Sequence, residues 1–234
     1  MKNASADAKD VREKRVRMMI LYDPEDREEW LRCRCKGLGG SDAGTVLGVN
    51  KYKTNFELWR EKTGIDKNTF QGNEATEYGK AAEKHIREMF LLDYPQFSCE
   101  YHEYRMHANQ LYQFLYATLD GELTERSTGK KGVLEIKTTT IHNPSQWDEW
   151  DGRIPQTYYA QVLHQLVATG YEFVILRAYI RYYDKDGELR ATVRDYRIEY
   201  AEVQDDIAEL VKAEVQFWHD VINKNEPALI LPAI

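Results

Sequence analysis

The segment Val133–Lys137 (VLEIK) constrains the fold more tightly than any other part of the chain. It is typical of a β-strand, and side chains in a strand alternate between its two faces. Leu134 and Ile136 therefore lie on one face, while Glu135 and Lys137 lie together on the other. The sequence thus predicts an otherwise apolar strand that carries an acid and a base as neighbours.

A second acid, Asp120, precedes Gly121 in the preceding predicted strand. If the two strands pair around the loop 124–132, the carboxylate of Asp120 approaches that of Glu135. Two close carboxylates repel and raise each other's pKa, and the arrangement becomes favourable when a cation such as Mg²⁺ lies between them. Lys137 then points at the same spot, where it can orient or deprotonate a water or stabilise an oxyanion on phosphorus.

A third acid comes from the predicted helix 73–93, in which Gly79, Glu83, Ile86 and Phe90 share one face. A carboxylate at the edge of a buried face needs a partner, and a metal or its water would serve. Taken alone, a Glu-x-Lys pair on a strand is more typical of a solvent-facing ion pair, so the neighbouring motifs carry weight.

Composition restricts the class of protein only loosely. The net charge of −7 argues against a protein that coats nucleic acid, although a metal site concentrates carboxylates in any case. Three cysteines supply neither a disulfide framework nor a zinc quartet. The chain has no membrane-spanning run and no signal peptide, so we expect a cytoplasmic protein with a flexible arm over 1–19 and one domain over 20–234.

The order of predicted elements indicates an α/β (α+β) domain with a mixed central sheet flanked by helices. Ser41 is the expected N-cap of the second helix, and His164 is expected at the surface or in an interface. Predicted helices cover 24–36, 41–48, 54–64, 73–93, 156–169 and 201–223, and predicted strands cover 98–107, 112–124, 132–138, 172–183 and 189–198.

Five sequence blocks occur together in a recognisable order. They are EWLRCRCKGLGGSDAGTVLGVNKYKTNFELWREKTG (29–64), GKAAEKHI (79–86), ATLDGEL (117–123), LEIKTT (134–139) and YYAQVLHQLVATG (158–170). Jointly they resemble the YqaJ-type viral recombinase nucleases, relatives of bacteriophage lambda exonuclease in the Asp…Glu-x-Lys nuclease superfamily. The resemblance implies a restriction-endonuclease-like core.

The resemblance also implies roles for the acids and the lysine. Asp120 and Glu135 resemble direct metal ligands, with the carbonyl oxygen of Ile136 as a further ligand. Glu83 resembles the helix acid that serves a second metal ion or its water. Lys137 resembles the catalytic lysine. One or two Mg²⁺ ions are implied for each active site, with Mn²⁺ as a substitute.

Three further residues match positions of the family. Gln161 resembles the helix glutamine near the active site, and Arg34 and Ser41 match the residues that hold a terminal 5′-phosphate. A glycine loop that leads into a helix N-terminus suits an anion, and the planar guanidinium of Arg34 suits phosphate. In isolation, the same loop is more typical of an ordinary capped helix.

The resemblance implies a Mg²⁺-dependent 5′→3′ exonuclease that acts on double-stranded DNA ends and leaves 3′ single strands for recombination. It further implies a homotrimeric ring, a single-strand annealing protein as partner, and a phage- or prophage-encoded protein of the bacterial cytoplasm. Two alternatives stay open: an endonuclease or nickase of the same fold, and a non-catalytic protein that binds DNA ends. The mutually repelling acids count against the binder, which has no need of them.

Overall fold

The computed structural model describes residues 18–66 and 72–231. Most of the predicted N-terminal arm, residues 1–17, lies outside the described residues, while residues 18 and 19 begin the first strand. In the described ranges no helix is both long enough and apolar enough to cross a membrane.

Nine strands and seven α-helices form within these ranges. The strands are β1 (Met18–Tyr22), β2 (Leu38–Gly39), β3 (Phe97–Glu100), β4 (Met106–Asn109), β5 (Leu115–Ala117), β6 (Gly121–Glu125), β7 (Lys131–Ile141), β8 (Phe173–Tyr183) and β9 (Leu189–Glu199). The α-helices are α1 (Arg27–Arg34), α2 (Gly40–Val46), α3 (Asn55–Lys62), α4 (Glu74–Asp93), α5 (Ser145–Asp148), α6 (Gln156–Thr169) and α7 (Gln204–Asn223). A 3₁₀ turn, Tyr200–Glu202, precedes α7.

The strands form two sheets. The larger has the order β3-β6-β7-β8-β9, in which β7 and β8 are parallel and the other pairs are antiparallel. The smaller has the order β1-β4-β5-β2. The mixed sheet flanked by helices is therefore confirmed. The expectation of continuous strands over 98–107 and 112–124 was wrong, because each of these segments leaves one sheet and enters the other.

The two faces of the larger sheet are covered by different helices. On one face α4 places Ile86 and Phe90 against Leu134 and Ile136. On the other face lies α6, which contacts both β7 and β8 of the larger sheet and β4 and β5 of the smaller one. Because α6 lies between two sheets, apolar residues surround it and it has no wholly solvated side.

The sequence explains both ends of α6 and its close packing. Pro155 precedes its first residue, and Gly170 ends it in the left-handed region at φ 64°. On its flank, a Cβ added at Gly44 of α2 would lie 2.9 Å from Thr157 Cγ2, so the glycine permits the close approach of the two helices. The predicted helix and its glycine stop are confirmed.

Helix starts agree with the sequence in two cases and differ in two. The helices predicted to begin at Thr54 and Asn73 are confirmed, and these residues are the N-caps of α3 and α4, each accepting a bond from a backbone N–H three residues on. The first helix begins after Asp26, which caps it, and not at Pro24. Gly39, and not Ser41, is the N-cap of α2, because the helix begins two residues earlier than expected.

The expectation for His164 was also wrong, because its side chain is fully buried. Its Nδ1 lies 2.6 Å from Glu214 Oε1 of α7, and its Nε2 lies 2.9 Å from the carbonyl oxygen of Tyr116 in β5. Burial opposes the charged imidazole, but the Glu214 carboxylate outweighs it and raises the pKa of His164. This pair joins α6, α7 and the smaller sheet.

Candidate active site

The predicted alternation along β7 is confirmed. Leu134 and Ile136 pack beneath α4, whereas Val133 belongs to the cluster around α6. Glu135 shares the face of Val133, and only 2% of its surface is exposed. A carboxylate buried this deeply requires polar partners.

Glu135 finds those partners on α6 and on its own strand. Its Oε1 accepts from Gln161 Nε2 at 2.6 Å and lies 2.7 Å from Lys137 Nζ. Its Oε2 accepts from Gln165 Nε2 at 2.5 Å. The structure thus brings together Glu135, Lys137 and Gln161, as the sequence predicted, and adds Gln165 one turn along α6.

Lys137 is held as a cation in this arrangement. Burial opposes its charged form, but the carboxylates of Glu135 and Asp120 outweigh burial and raise the pKa of Lys137. Its Nζ also lies 5.0 Å from the ring centroid of Tyr158, a favourable position for a cation. The ammonium therefore balances part of the negative charge around it.

Asp120 lies where the chain leaves β5 and enters β6. The two strands pair around the intervening loop, as considered from the sequence, and the hairpin pairs Gly121 with Leu134, so Asp120 lies just beyond the last pair of the two strands. Its Oδ2 accepts from the backbone N–H of Ile136 at 2.8 Å, and its backbone oxygen accepts from the guanidinium of Arg87. The N–H and C=O of one strand residue point to the same side, so the carbonyl of Ile136 is directed toward this region as well.

Glu83 completes a cluster of three acids, named here the acid cluster (Glu83, Asp120 and Glu135). Burial, then Glu135 and Glu83, raise the pKa of Asp120 well above its ordinary value. Burial and Glu135 likewise raise the pKa of Glu83 on α4. The carboxylates are therefore close enough to repel one another, as the sequence predicted.

The acid cluster fits a hard divalent cation. Among the described residues, no three Asp, Glu, His or Cys side chains already form a cage for a metal ion. Mg²⁺ does not need one, since proteins bind it through one or two carboxylates while it keeps several waters. The mutually repelling oxygens of half-buried Asp120 and buried Glu135, with the Ile136 carbonyl beside them, have the ligand chemistry that such an ion takes.

A small cavity of about 110 Å³ adjoins the acid cluster on the α6 side, and we name it the Arg34–Ser41 pocket. The two predicted residues meet there, with Arg34 Nη2 donating to Ser41 Oγ at 3.0 Å. Gln161 and Gln165 also line it, so the same two amides contact Glu135 and face the cavity. The remaining lining residues are Gly39, Gly40, Tyr116 and Thr118.

The charge of Arg34 is available to a ligand. Its guanidinium stacks over the ring of Trp30 at 4.7 Å, and in the described part of the chain it forms no ion pair. The nearby acid Asp42 is paired instead with Lys62 at 2.8 Å, which also bonds the backbone oxygen of Arg34. An oriented guanidinium without a carboxylate partner suits a phosphate.

Sequence reasoning missed several residues of this region. Thr118 lines the pocket, and its Oγ1 accepts a hydrogen bond from Trp30 Nε1 at 3.0 Å. Its place two residues before Asp120 in the sequence could have indicated that it lies near the site. Gln165 follows Gln161 by one helical turn, so helical spacing places the two amides on the same face of α6. Arg87 lies one turn after Glu83 on α4. No sequence pattern indicates its role, because its partner is the backbone oxygen of Asp120.

Comparison with solved structures defines the class of fold. The alkaline exonuclease LHK-Exo from Laribacter hongkongensis superimposes with a TM-score of 0.59 at 20% identity, over 86% of this chain and 95% of that one. A phage related exonuclease from Haemophilus somnus 129PT gives 0.51 at 16% identity, over 80% and 96%. The fold is thus the restriction-endonuclease-like fold of alkaline exonucleases.

Sequence comparison then places the chain within a family. The model of the YqaJ-like viral recombinase domain matches residues 29–172, and the chain belongs to this family. It is 32% identical over 220 residues to the uncharacterized protein YqaJ of Bacillus subtilis (strain 168). That match covers 92% of this chain and 63% of the relative, so the chain spans less than two thirds of the relative's length. The predicted resemblance is confirmed.

Proposed function

We propose that this protein is a metal-dependent exonuclease that removes nucleotides from the 5′ ends of double-stranded DNA and leaves 3′ single strands. The observation that carries the proposal is the contact between the Arg34–Ser41 pocket and the acid cluster through Gln161 and Gln165. A terminal phosphate and the next phosphodiester of one strand suit such adjoining sites. The family and the fold support the nuclease class.

In this proposal Asp120, Glu135 and the carbonyl of Ile136 would hold one Mg²⁺, and Glu83 would serve a second ion or its water. The ion would supply Lewis-acid activation of the phosphoryl group and of water, and Mn²⁺ would substitute for Mg²⁺. The two glutamines fix the orientation of Glu135. The half-buried ammonium of Lys137 stabilises negative charge that develops on phosphorus oxygens and positions the attacking water.

We assign the 5′→3′ direction of digestion to the Arg34–Ser41 pocket, because the acid cluster would act on any phosphodiester that is placed on it. A terminal 5′-phosphate carries more negative charge than an internal diester, so Arg34 and Ser41 prefer it. The hydroxyl of Thr118 provides a further bond at the same end of the cavity.

The proposal includes the assembly and partner implied by the family resemblance: a homotrimeric ring, and a single-strand annealing protein that receives the 3′ strand. The C-terminal segment supports burial on a second copy, because Leu229 and Leu231 are 57% and 72% exposed. Asn55 fixes the backbone of this segment through Ala228 and Ile230, so the exposed side chains have a defined position.

The test uses linear duplexes that carry either a 5′-phosphate or a 5′-hydroxyl, labelled at the 3′ end and incubated with Mg²⁺ or EDTA. The phosphorylated end should be digested faster, and only with Mg²⁺. Arg34→Ala should erase most of the difference, since a charge-assisted bond contributes about 1.5–3 kcal/mol, or roughly one to two decades in rate.

Arg32→Ala is the matched control, because Arg32 lies on the same helix and is exposed, paired only with Glu28 among the described residues. It should behave as the wild type. Equal digestion of both ends, or resection from 3′ ends, would contradict the assignment of the pocket. Cleavage of covalently closed circular duplex would instead favour the endonuclease alternative.

A further inference from the structure

A second and larger cavity, of about 450 Å³, opens on the α4 side of the acid cluster. We name it the α4 groove; its lining includes Lys80, Glu83, Lys84, Arg87 and Tyr101. It shares no lining residue with the Arg34–Ser41 pocket. Glu83 lines the groove and Glu135 contacts the glutamines of the pocket, so the acid cluster lies between the two cavities.

One wall of the groove carries a row of cations. Lys80, Lys84 and Arg87 are spaced four and three residues apart, so they follow one another along a single face of α4. Within the described ranges neither lysine forms an ion pair. The groove also holds three acids. Glu83 belongs to the acid cluster, Glu88 Oε2 lies 3.7 Å from His85 Nδ1, and Glu103 is hydrogen-bonded to the side chain of Tyr104.

The end of this row is an ordered stack of Arg87 on Tyr101. The guanidinium carbon lies 3.7 Å from the ring centroid, and the same guanidinium bonds the backbone oxygen of Asp120. The tyrosine is therefore fixed relative to the acid cluster. With Arg87 against its ring, Tyr101 is still 42% exposed and lines the groove. An exposed aromatic ring beside a row of cations is the combination that binds single-stranded nucleic acid.

We propose that the α4 groove binds the digested DNA strand on the 3′ side of the scissile phosphodiester. Lys80 and Lys84 contact its phosphates, and an unpaired base stacks on Tyr101. This rests on the proposed function: with the 5′-terminal phosphate in the pocket and the first phosphodiester at the acid cluster, the following nucleotides continue on the opposite side. Residues four apart on a helix are about 6 Å apart along its axis, so two lysines can serve successive phosphates.

If the groove binds the digested strand, one base near its 5′ end should change its environment on binding. 2-Aminopurine placed at the second or third nucleotide from the 5′-phosphorylated end should change fluorescence on binding, measured with Ca²⁺ in place of Mg²⁺. Tyr101→Ala should abolish that change and raise Kd at least about fivefold, the lower end for a base stacked on an aromatic ring. Tyr101→Phe should restore both, because it keeps the ring.

The phosphate contacts of Lys80 and Lys84 should contribute to the salt dependence of DNA binding. Lys80→Ala with Lys84→Ala should reduce the slope of log K against log salt by about 1.4–1.8, as expected for two lost phosphate contacts. The matched controls are Lys212→Ala, an exposed lysine on α7, and Tyr183→Ala, an exposed tyrosine at the end of β8. Both should bind as the wild type.

The outcomes separate the two proposals. In every groove variant the ratio of Kd for 5′-hydroxyl and 5′-phosphate ends should stay at the wild-type value, because the pocket is intact. Wild-type binding by Tyr101→Ala, or a signal from 2-aminopurine in the complementary strand only, overturns the groove assignment. Loss of end preference in the wild-type protein itself overturns the proposed function instead.

Discussion

The buried pair His164–Glu214 provides a stability prediction that the structure makes quantitative. Both side chains are fully buried, and the imidazole lies between a carboxylate oxygen and the carbonyl oxygen of Tyr116. Two oxygen partners on its two nitrogens require the ring to donate on both sides. His164→Leu leaves the Glu214 carboxylate buried without its partner, and in the wild type its Oε2 already has no hydrogen-bond partner among the described residues.

Breaking a buried ion pair by removing one partner costs about 3–5 kcal/mol. That is a large fraction of the roughly 5–15 kcal/mol that stabilises a typical domain. For a chain of this size it corresponds to a decrease in Tm of roughly 6–20 °C. The double variant His164→Leu with Glu214→Leu should recover much of the loss, because the unpaired charge disappears with its partner.

The pair also predicts a dependence on pH. The pKa of His164 is raised above the unfolded value of about 6.5, so its contribution is fully present below that pH and is lost as pH rises through the folded pKa. Between those two values stability falls by up to about 1.4 kcal/mol per pH unit. Glu214→Gln should remove this slope at small cost, since a glutamine amide can donate to a neutral imidazole.

Urea unfolding followed by tryptophan fluorescence, at pH values from 6 to 9, tests these statements on five proteins: the wild type, His164→Leu, Glu214→Leu, the double leucine variant and Glu214→Gln. The reasoning is refuted if His164→Leu costs less than about 1 kcal/mol, which is below the range for any buried pair. It is refuted equally if the double variant costs the sum of the two single variants, since the cycle would then show no coupling.

Two predictions concern the acid cluster and its lysine. Asp120→Asn should abolish Mg²⁺-dependent cleavage and raise the free energy of unfolding of the metal-free protein, because one of three repelling carboxylates is removed while the bond from the Ile136 N–H is kept; calorimetry that finds an unchanged Mg²⁺ affinity would contradict it. Lys137→Ala should leave DNA affinity near the wild-type value but slow the chemical step by roughly two to four decades, and single-turnover rates equal to the wild type would rule out its role.

The parts of the site that follow from local periodicity could be predicted from the sequence. Alternation along β7 separates Glu135 and Lys137 from Leu134, and a short hairpin fixes the register that brings Asp120 beside them. Helical spacing likewise places Glu83 on the edge of the face that buries Ile86. These relations extend over a few residues of one or two elements, so the sequence is sufficient to determine them.

The relations that were missed depend on contacts between distant elements. His164 has its charged partner 50 residues away on another helix, and no local pattern marks it as buried. The division of 98–107 and 112–124 between two sheets is set by tertiary pairing, which strand propensity does not encode. Ser41 differs for a simpler reason: glycine is an acceptable N-cap, so α2 starts at the earlier position.

The crossing of the chain from β5 to β6 has a consequence for product size. Thr118 lines the Arg34–Ser41 pocket and Asp120 belongs to the acid cluster, so two residues of backbone connect the pocket to the acid cluster. Two residues reach at most about 7 Å. In the proposed function this short stretch sets the length of the product. A strand anchored by its terminal phosphate presents the adjacent phosphodiester to the acids, and each cut releases a single nucleotide.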